Sequence, residues 1–359
     1  MTTAKRDELL SLMMLVRSAL ATQSFIPAWT HIRLAEGSAT TYNDTASISV
    51  KTPLLGMNPG CVPGELFIKA LSSFNADSVL LQEHPNERAL VVTSGRSKLK
   101  IPTLPVEDFK MPVLKGAPAS IDLNDDILAA IGKCLFSVGT DPTHPEQMGV
   151  TLGAPNGLAV LYSTDNMTIS RCATKSAISL PGDAPVILPT FFCEQLLSLA
   201  KAYIDDDIVL NVYPGALQVV FGKKATLLTK TLVDMEVRDF EDVIKKYLDI
   251  ETLKAATMPI PKSFDAAFNR AMLILALETD KATTVTPSSE GVTLFSKSSL
   301  GESDDEFTLD KKVRVKPFKV DPGHVLRAAK SCGSVAFYDR VLVLCTPDIS
   351  FVHLVAHCA

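Results

Sequence analysis

The stretch TSGRSKLKIPTLPVEDFK, residues 93–110 of the 359, sets how the chain is divided. It follows the apolar alternation Ala89-Leu90-Val91-Val92 and runs into PVLKGAPAS (112–120), where Pro, Gly and Ala replace any periodicity, so it closes a first block. Working outward from it, one order of elements recurs three times. An amphipathic helical stretch opens each block (7–20, 125–138, 262–277), and strand-like alternation follows. An extended apolar segment then leads through or near a Pro into a second helical stretch (63–74, 189–203, 322–332). After each second helix the alternation resumes, as in Val79-Leu80-Leu81, 208–212, 217–221, 335–337 and 341–344, which reads as antiparallel strands joined by hairpins. TMPIPK (257–262), with two prolines, is the second linker. The expected class is α+β, with three similar domains at 1–115, 116–250 and 251–359, each with two helices packed on antiparallel sheets. The acidic run GESDDE (301–306), between two apolar strands, reads as a solvated loop.

Composition agrees with packed domains. Apolar residues make up 47% and charged residues 21%, with 16 Phe and 1 Trp, which excludes a largely disordered chain. No apolar run reaches the length of a membrane span, and Lys5-Arg6-Asp7-Glu8 lacks the layout of a signal peptide. The reading is a soluble, cytoplasmic protein with no membrane contact. Seven cysteines without any C-x-x-C pair argue against a disulfide framework and a zinc site. The net charge is −5, spread over the blocks as +2, −7 and 0, so any nucleic-acid surface has to be local.

Catalytic chemistry finds no seat. The phosphate-binding, dinucleotide, nucleophile-elbow and H-E-x-x-H motifs do not occur. His353 and His357 stand at i,i+4 spacing, yet in a segment, SFVHLVAHC, that reads as strand and offers no acidic partner for a metal. Asp205-Asp206-Asp207 reads as the soluble end of a helix, although clustered carboxylates suit a hard cation. No catalytic residue, metal or cofactor is assigned.

The helices carry a more informative pattern. At 100° per residue, Lys133 projects about 200° from Ile131 and faces away from the core, and the same holds for Arg17, Lys69, Lys201, Arg270 and Arg327, the last joined by Lys330. Each of six helices therefore offers an outward cation. Exposed helices often do so, and Glu65 and Glu194 share these faces.

Segment 93–110 closely resembles the end of the first domain of the bacterial DNA polymerase III beta subunit, the sliding clamp family, in its S-G-R-S core, its T-L-P and the D-F that follows. Val62-Pro63, Gly149-Val150-Thr151-Leu152, the turn Ser163-Thr164-Asp165-Asn166, Thr229-Lys230-Thr231-Leu232-Val233-Asp234 and Gly291-Val292-Thr293-Leu294 fit the family's later landmarks. The resemblance implies DNA-clamp domains with helices inward and sheets outward, and a head-to-tail homodimer closed into a ring around double-stranded DNA without reading its sequence. Ring size supports two chains: six helices about 10 Å wide leave roughly 10 Å clear, whereas twelve leave roughly 28 Å, enough for a duplex of about 20 Å. The cations Arg17, Lys69, Lys133, Lys201, Arg270, Arg327 and Lys330 then become the DNA-binding set.

In the family a pocket between the second and third domains receives short linear peptides from DNA polymerase and the clamp loader. Carried over residue by residue, it falls on Thr164, Asn166, Met167, Thr168 and Ile169, with Val243, His353 and Val355. Where the family has Pro and Arg, this chain has Arg238 and Asp242, and its tail is Leu354-Val355-Ala356-His357-Cys358-Ala359, so the peptide preference is expected to differ. Divergence of this kind suits a viral replication system, placing the protein in a bacterial cytoplasm or an infected host cell. The competing readings are a clamp-fold adaptor for transcription or repair and a metal-dependent enzyme built on the acidic clusters.

Overall fold

The computed structural model describes residues 1–231, 239–247, 249–288 and 290–358; Arg238 and Leu232-Val233-Asp234 lie outside them. The element order is a threefold repeat of short strand, helix, three-strand meander, short strand, helix, three-strand meander. The first copy holds β1 (Thr2–Lys5), α1 (Arg6–Arg17), β2 (His31–Ala35), β3 (Ser38–Tyr42), β4 (Ala46–Lys51), β5 (Gly60–Pro63), α2 (Gly64–Ser73), β6 (Ser78–Glu83), β7 (Ala89–Ser94) and β8 (Ser97–Pro102). The second holds β9 (Ala119–Asp122), α3 (Asp125–Cys134), β10 (Gly149–Gly153), β11 (Leu158–Thr164), β12 (Thr168–Ala177), β13 (Val186–Pro189), α4 (Thr190–Ala202), β14 (Ile208–Tyr213), β15 (Ala216–Phe221) and β16 (Ala225–Lys230). Two short helices, α5 (Phe240–Lys245) and α6 (Ile250–Ala256), precede the third copy. That copy holds β17 (Met258–Pro259), α7 (Phe264–Ile274), β18 (Thr283–Pro287), β19 (Gly291–Ser298), β20 (Gly301–Thr308), β21 (Phe318–Val320), α8 (Pro322–Ala329), β22 (Ser334–Phe337), β23 (Val341–Cys345) and β24 (Phe351–Ala356). The α+β class and all six expected helices are present.

Contacts group the described residues into two units. The first takes in Met1 to Asn124 and Phe191 to Thr231. It holds a four-stranded sheet, β1-β6-β7-β8, and an eight-stranded one, β5-β2-β3-β4-β16-β15-β14-β9. The larger sheet is two four-strand pieces joined along a β4:β16 seam in which Ser47 lies opposite Leu228. Helix α1 buries Leu9, Met13 and Val16, spaced four and three residues apart and so on one face. Its acidic first turn, Asp7 and Glu8, and its final Arg17 suit the helix dipole. The Thr41 hydroxyl, from β3, donates to the Val16 carbonyl at 2.6 Å, satisfying one of the acceptors a helix end leaves open.

The second unit takes in Asp125 to Thr190 and the described residues from Asp239 onward. Its sheets are β13-β10-β11-β12-β24-β23-β22-β17 and β20-β19-β18-β21. The seam here is β12:β24, with Ile169 opposite Leu354. Helix α7 anchors one core through Phe264 and Phe268, whose rings lie 4.6 Å apart, with Phe307 of β20 5.6 Å from Phe264. Helix α8 begins at Pro322, and the Asp321 carboxylate accepts from the Gly323 amide at 2.6 Å.

One expectation is corrected. Residues 301–306 are strand, the first six residues of β20, and not a loop. Glu302, Asp304 and Glu306 point to solvent while Ser303, Asp305 and Phe307 turn inward, so period-two alternation survives although five of these side chains are polar. An outward row of charge on an edge strand is a common way to keep such an edge from pairing at random.

Candidate nucleic-acid and peptide interfaces

In the first unit, α1, α2 and α4 adjoin. Arg17 of α1 grips Glu65 of α2 with both arms, Nε to Oε1 at 2.7 Å and Nη2 to Oε2 at 3.0 Å, and Ser18 Oγ reaches Gln195 Oε1 of α4 at 2.6 Å. The hydrogen bond from Arg17 holds the Glu65 carboxyl below its usual range, and Lys69, one turn along α2, adds a smaller pull in the same direction. Lys69 and Lys201 are exposed on these helices, with no carboxylate within salt-bridge distance among the described residues.

In the second unit, Arg270 of α7 is held by Asp305 of β20, Nε to Oδ1 at 2.8 Å. Arg327 of α8 stands 3.7 Å from the Asp165 carboxylate and donates to the Phe136 carbonyl at 3.4 Å. Lys330, at the end of α8, is exposed. Lys133 departs from expectation. It is half-buried at the end of α3, with its ammonium over the Phe351 ring, 6.0 Å from the ring centre. Three of the seven predicted cations are thus matched by carboxylates and one is turned onto a ring. The unmatched ones are Lys69, Lys201 and Lys330. Such a surface attracts phosphate weakly, since each matched arginine contributes little net field.

The predicted peptide residues divide between two faces of one sheet. The Thr164–Thr168 turn is fully formed: Asp165 Oδ1 accepts from the amides of Met167 (3.1 Å) and Thr168 (2.7 Å), and Thr164 Oγ1 donates to the Thr168 carbonyl at 2.7 Å. Asn166 takes the left-handed conformation there, with φ of 70°, and its Oδ1 accepts from Gln147 Nε2 at 2.9 Å. Met167 stands 39% exposed at the tip. Ile169 and Leu354 share the face covered by α5, packing with Phe240 and Ile244. Val243 belongs to that same helix.

His353 and Val355 point the other way. Each is 1% exposed; Val355 packs with Phe264, Val325 and Phe337, and His353 Nδ1 lies 2.9 Å from Ser170 Oγ and 3.2 Å from Ser137 Oγ. They are core residues, and Thr168, opposite Val355, is buried with them. The residue one position along from His353, Leu354, is the one that β24 turns toward α5. Nothing in Val352-His353-Leu354-Val355 alternates in polarity, so neither parity stands out in the sequence.

Helix α5 is fixed in place by chemistry that single residues did not announce. Tyr162 Oη donates to Glu241 Oε1 at 2.7 Å, Arg171 Nε donates to the same oxygen at 2.7 Å, and the Tyr162 and Phe240 rings stack 5.2 Å apart. Asp239 caps the helix by accepting from the Asp242 amide at 3.1 Å. Burial and the bond to Glu241 push the Tyr162 phenol far above its usual range, so it stays a donor. Among the described residues no group of three or more His, Cys, Asp or Glu is arranged to hold a metal ion. No helix among them is long and apolar enough to cross a membrane.

No family model matches the chain. It is similar to the beta sliding clamp of Caulobacter vibrioides, 25% identical over 260 residues covering 68% of each protein. The beta sliding clamp of Pseudomonas aeruginosa is 22% identical over 256 residues, again 68% of each. Among solved structures, the DNA polymerase sliding clamp from Pseudomonas aeruginosa superposes with a TM-score of 0.85 over 99% of both chains at 16% identity. The sliding clamp from Caulobacter crescentus does so with 0.85 over 99% of both at 17%. Sequence shared over two thirds of the chain, and a fold shared over nearly all of it, agree with the resemblance of 93–110: the chain is similar to bacterial beta sliding clamps and has their fold.

Proposed function

We propose that this protein is a DNA sliding clamp, a processivity factor that encircles duplex DNA and tethers replication proteins to it in the cytoplasm. One observation carries the reading. The last strand of a first meander pairs with the last strand of a second meander at β4:β16 and again at β12:β24, which leaves one strand of each kind, β20 and β8, at an open edge. A second copy supplies the missing partner, β8 to β20 in both directions, so the last strand of every meander is then paired.

The side chains favour that closure. Lys98 and Lys100 face outward from β8, and Glu302, Asp304 and Glu306 face outward from β20, so an antiparallel register that keeps inward residues inward brings opposite charges together. In the single chain Lys100 turns to Glu87 and Lys297 to Glu302. Beside β20, Leu273, Leu277 and Leu300 stand 70%, 74% and 52% exposed, an apolar patch suited to burial in an interface. The three repeats, with bounds at 1–115, 116–250 and 251–359, are then the three domains of each half-ring.

Within the ring the helices α1, α2, α4, α3, α7 and α8 face the duplex, and their unmatched lysines provide labile, sequence-independent phosphate contacts. DNA polymerase and the clamp loader dock as short peptides beside Met167, Ile169, Val243 and Leu354. The test is retention on DNA after loading. The protein should stay on closed circular duplex and run off when that duplex is linearised; equal loss from both would exclude encirclement.

A further inference from the structure

The two seams of the chain are built alike, and the first unit holds a cavity at the place that corresponds to the Ile169–Leu354 row of the second. Reading across the sheet, Thr164, Ile169 and Leu354 stand opposite one another in the second unit, and Tyr42, Ser47 and Leu228 do so in the first. In each unit the segment leaving the preceding meander covers that row. In the second it is α5. In the first it is the stretch after β8: Trp29 Nε1 donates to the Lys110 carbonyl at 3.0 Å, Phe109 packs with Tyr42, and Ser47 Oγ lies 3.7 Å from Met111 Sδ.

Beyond Met111 this covering segment lifts away from the sheet. Between it and the end of β16 lies a cavity of about 130 Å³ lined by Tyr42, Val113, Leu114, Pro214 and Leu228, with Lys115 and Lys230 at its mouth. Its volume suits one aliphatic side chain. Val113 is 82% exposed, so this side of the cavity is open to solvent. The rim is basic. Lys230 Nζ lies 3.0 Å from Asp44, while Lys115 is exposed, leaving two cations to one carboxylate.

We propose that this cavity is a second docking site, for a partner peptide that places a leucine-like side chain between Val113 and Leu228 and an adjacent carboxylate against Lys115 and Lys230. The inference rests in part on reading the Ile169–Leu354 row as a peptide site. Apolar burial supplies the attraction and the lysines select an acidic neighbour. A clamp with two such sites per chain could hold two proteins at once, one at each seam, raising their effective concentration on the same DNA.

The test uses the full-length protein with methyl-labelled Leu, Val and Ile, titrated with the end-capped peptide Gly-Glu-Leu-Leu-Glu-Gly and with its counterpart carrying lysine in place of glutamate. Saturable shifts of the Leu114 and Leu228 methyls are expected with the glutamate peptide, weakened about tenfold with the lysine peptide. Val113→Glu and Lys115→Glu should each weaken binding by a similar factor while leaving the fold intact, because both positions are exposed. Val243→Glu should leave the Leu228 shifts unchanged. No saturable shift at Leu228, or shifts indifferent to Val113→Glu, would overturn the proposal. Failure of the row in the second unit has a different signature, in which Ile169 and Leu354 stay unperturbed while Leu228 responds.

Discussion

Ile169 on β12 lies directly opposite Leu354 on β24, and both turn toward Phe240 and Ile244 of α5, whereas the neighbouring pair Thr168 and Val355 turns into the opposite core. This seam therefore packs on both faces, against α5 on one and against the α7 and α8 core on the other, and only the α5 side leads out to the exposed Met167.

Val243→Glu or Met167→Glu should weaken polymerase-peptide binding by about tenfold or more with little change in stability, since neither side chain is buried. Val355→Ala should do the reverse, costing about 2 kcal/mol of stability through an unfilled core volume while peptide affinity holds. Chemical denaturation and calorimetric titration on the same samples check both. Loss of binding in Val355→Ala alone, with stability unchanged, would return the site to the opposite face.

Closure of two chains should depend on opposite charge. Lys98→Glu with Lys100→Glu should shift sedimentation toward monomer, and adding Glu302→Lys with Asp304→Lys should restore the dimer by exchanging the two rows. Exposed pairs contribute roughly 0.2–1 kcal/mol each, so the effect should shrink at high salt. Leu273→Lys should also favour monomer, independently of salt, because it removes apolar burial. A charge-swapped protein that stays monomeric would exclude the β8:β20 pairing.

Glu65 holds Arg17 in a two-armed bond on the helix face of the first unit. Glu65→Gln should release the guanidinium and lengthen residence on linear DNA at low salt. Reversing Lys69, Lys201 and Lys330 to Glu should shorten it, with the log–log salt slope falling by roughly 0.9 for each phosphate that is no longer neutralised. Linear and circular templates compared at two salt concentrations provide the measurement. Unchanged lifetimes in every variant would mean that these helices do not face DNA.

His353 supplies a pH dependence. Burial lowers its pKa from 6.5 to about 4; a hydrogen bond with the His324 backbone and the charge of Asp165 oppose that shift, while the charges of the His324 and Arg327 side chains reinforce it. The unfolded chain therefore binds this proton more readily than the folded one. Stability from the neutral imidazole is complete above about pH 6.5 and is lost as pH falls toward 4, to a limit of about 3 kcal/mol. His353→Gln should flatten the denaturation midpoint across that range. A profile with the same slope in both proteins would assign the effect to other groups.

Much of the fold was legible in the residues. Leu9, Met13 and Val16 recur at helical spacing, so α1 was predictable, and the Pro-led second helices marked the repeat. The four letters Gly-Val-Thr-Leu show the limit. At 149–152 they open β10, the first strand of its meander, and at 291–294 they open β19, the second of its own. Local preference selects a strand, and only the pairing partners select which strand.

What the sequence determined by itself was the class, the number of repeats, the six helices and the resemblance to sliding clamps, because those depend on periodicity, turn chemistry and a local segment such as 93–110. Tertiary structure decided the rest. It placed Val355 in a core and Leu354 beside α5, matched Arg17 with Glu65 across 48 positions, and laid Lys133 over Phe351. It also made an edge strand of an acidic run. These outcomes depend on which side of a sheet is covered and which distant carboxylate comes within reach, quantities that exist only once strands have paired and helices have packed.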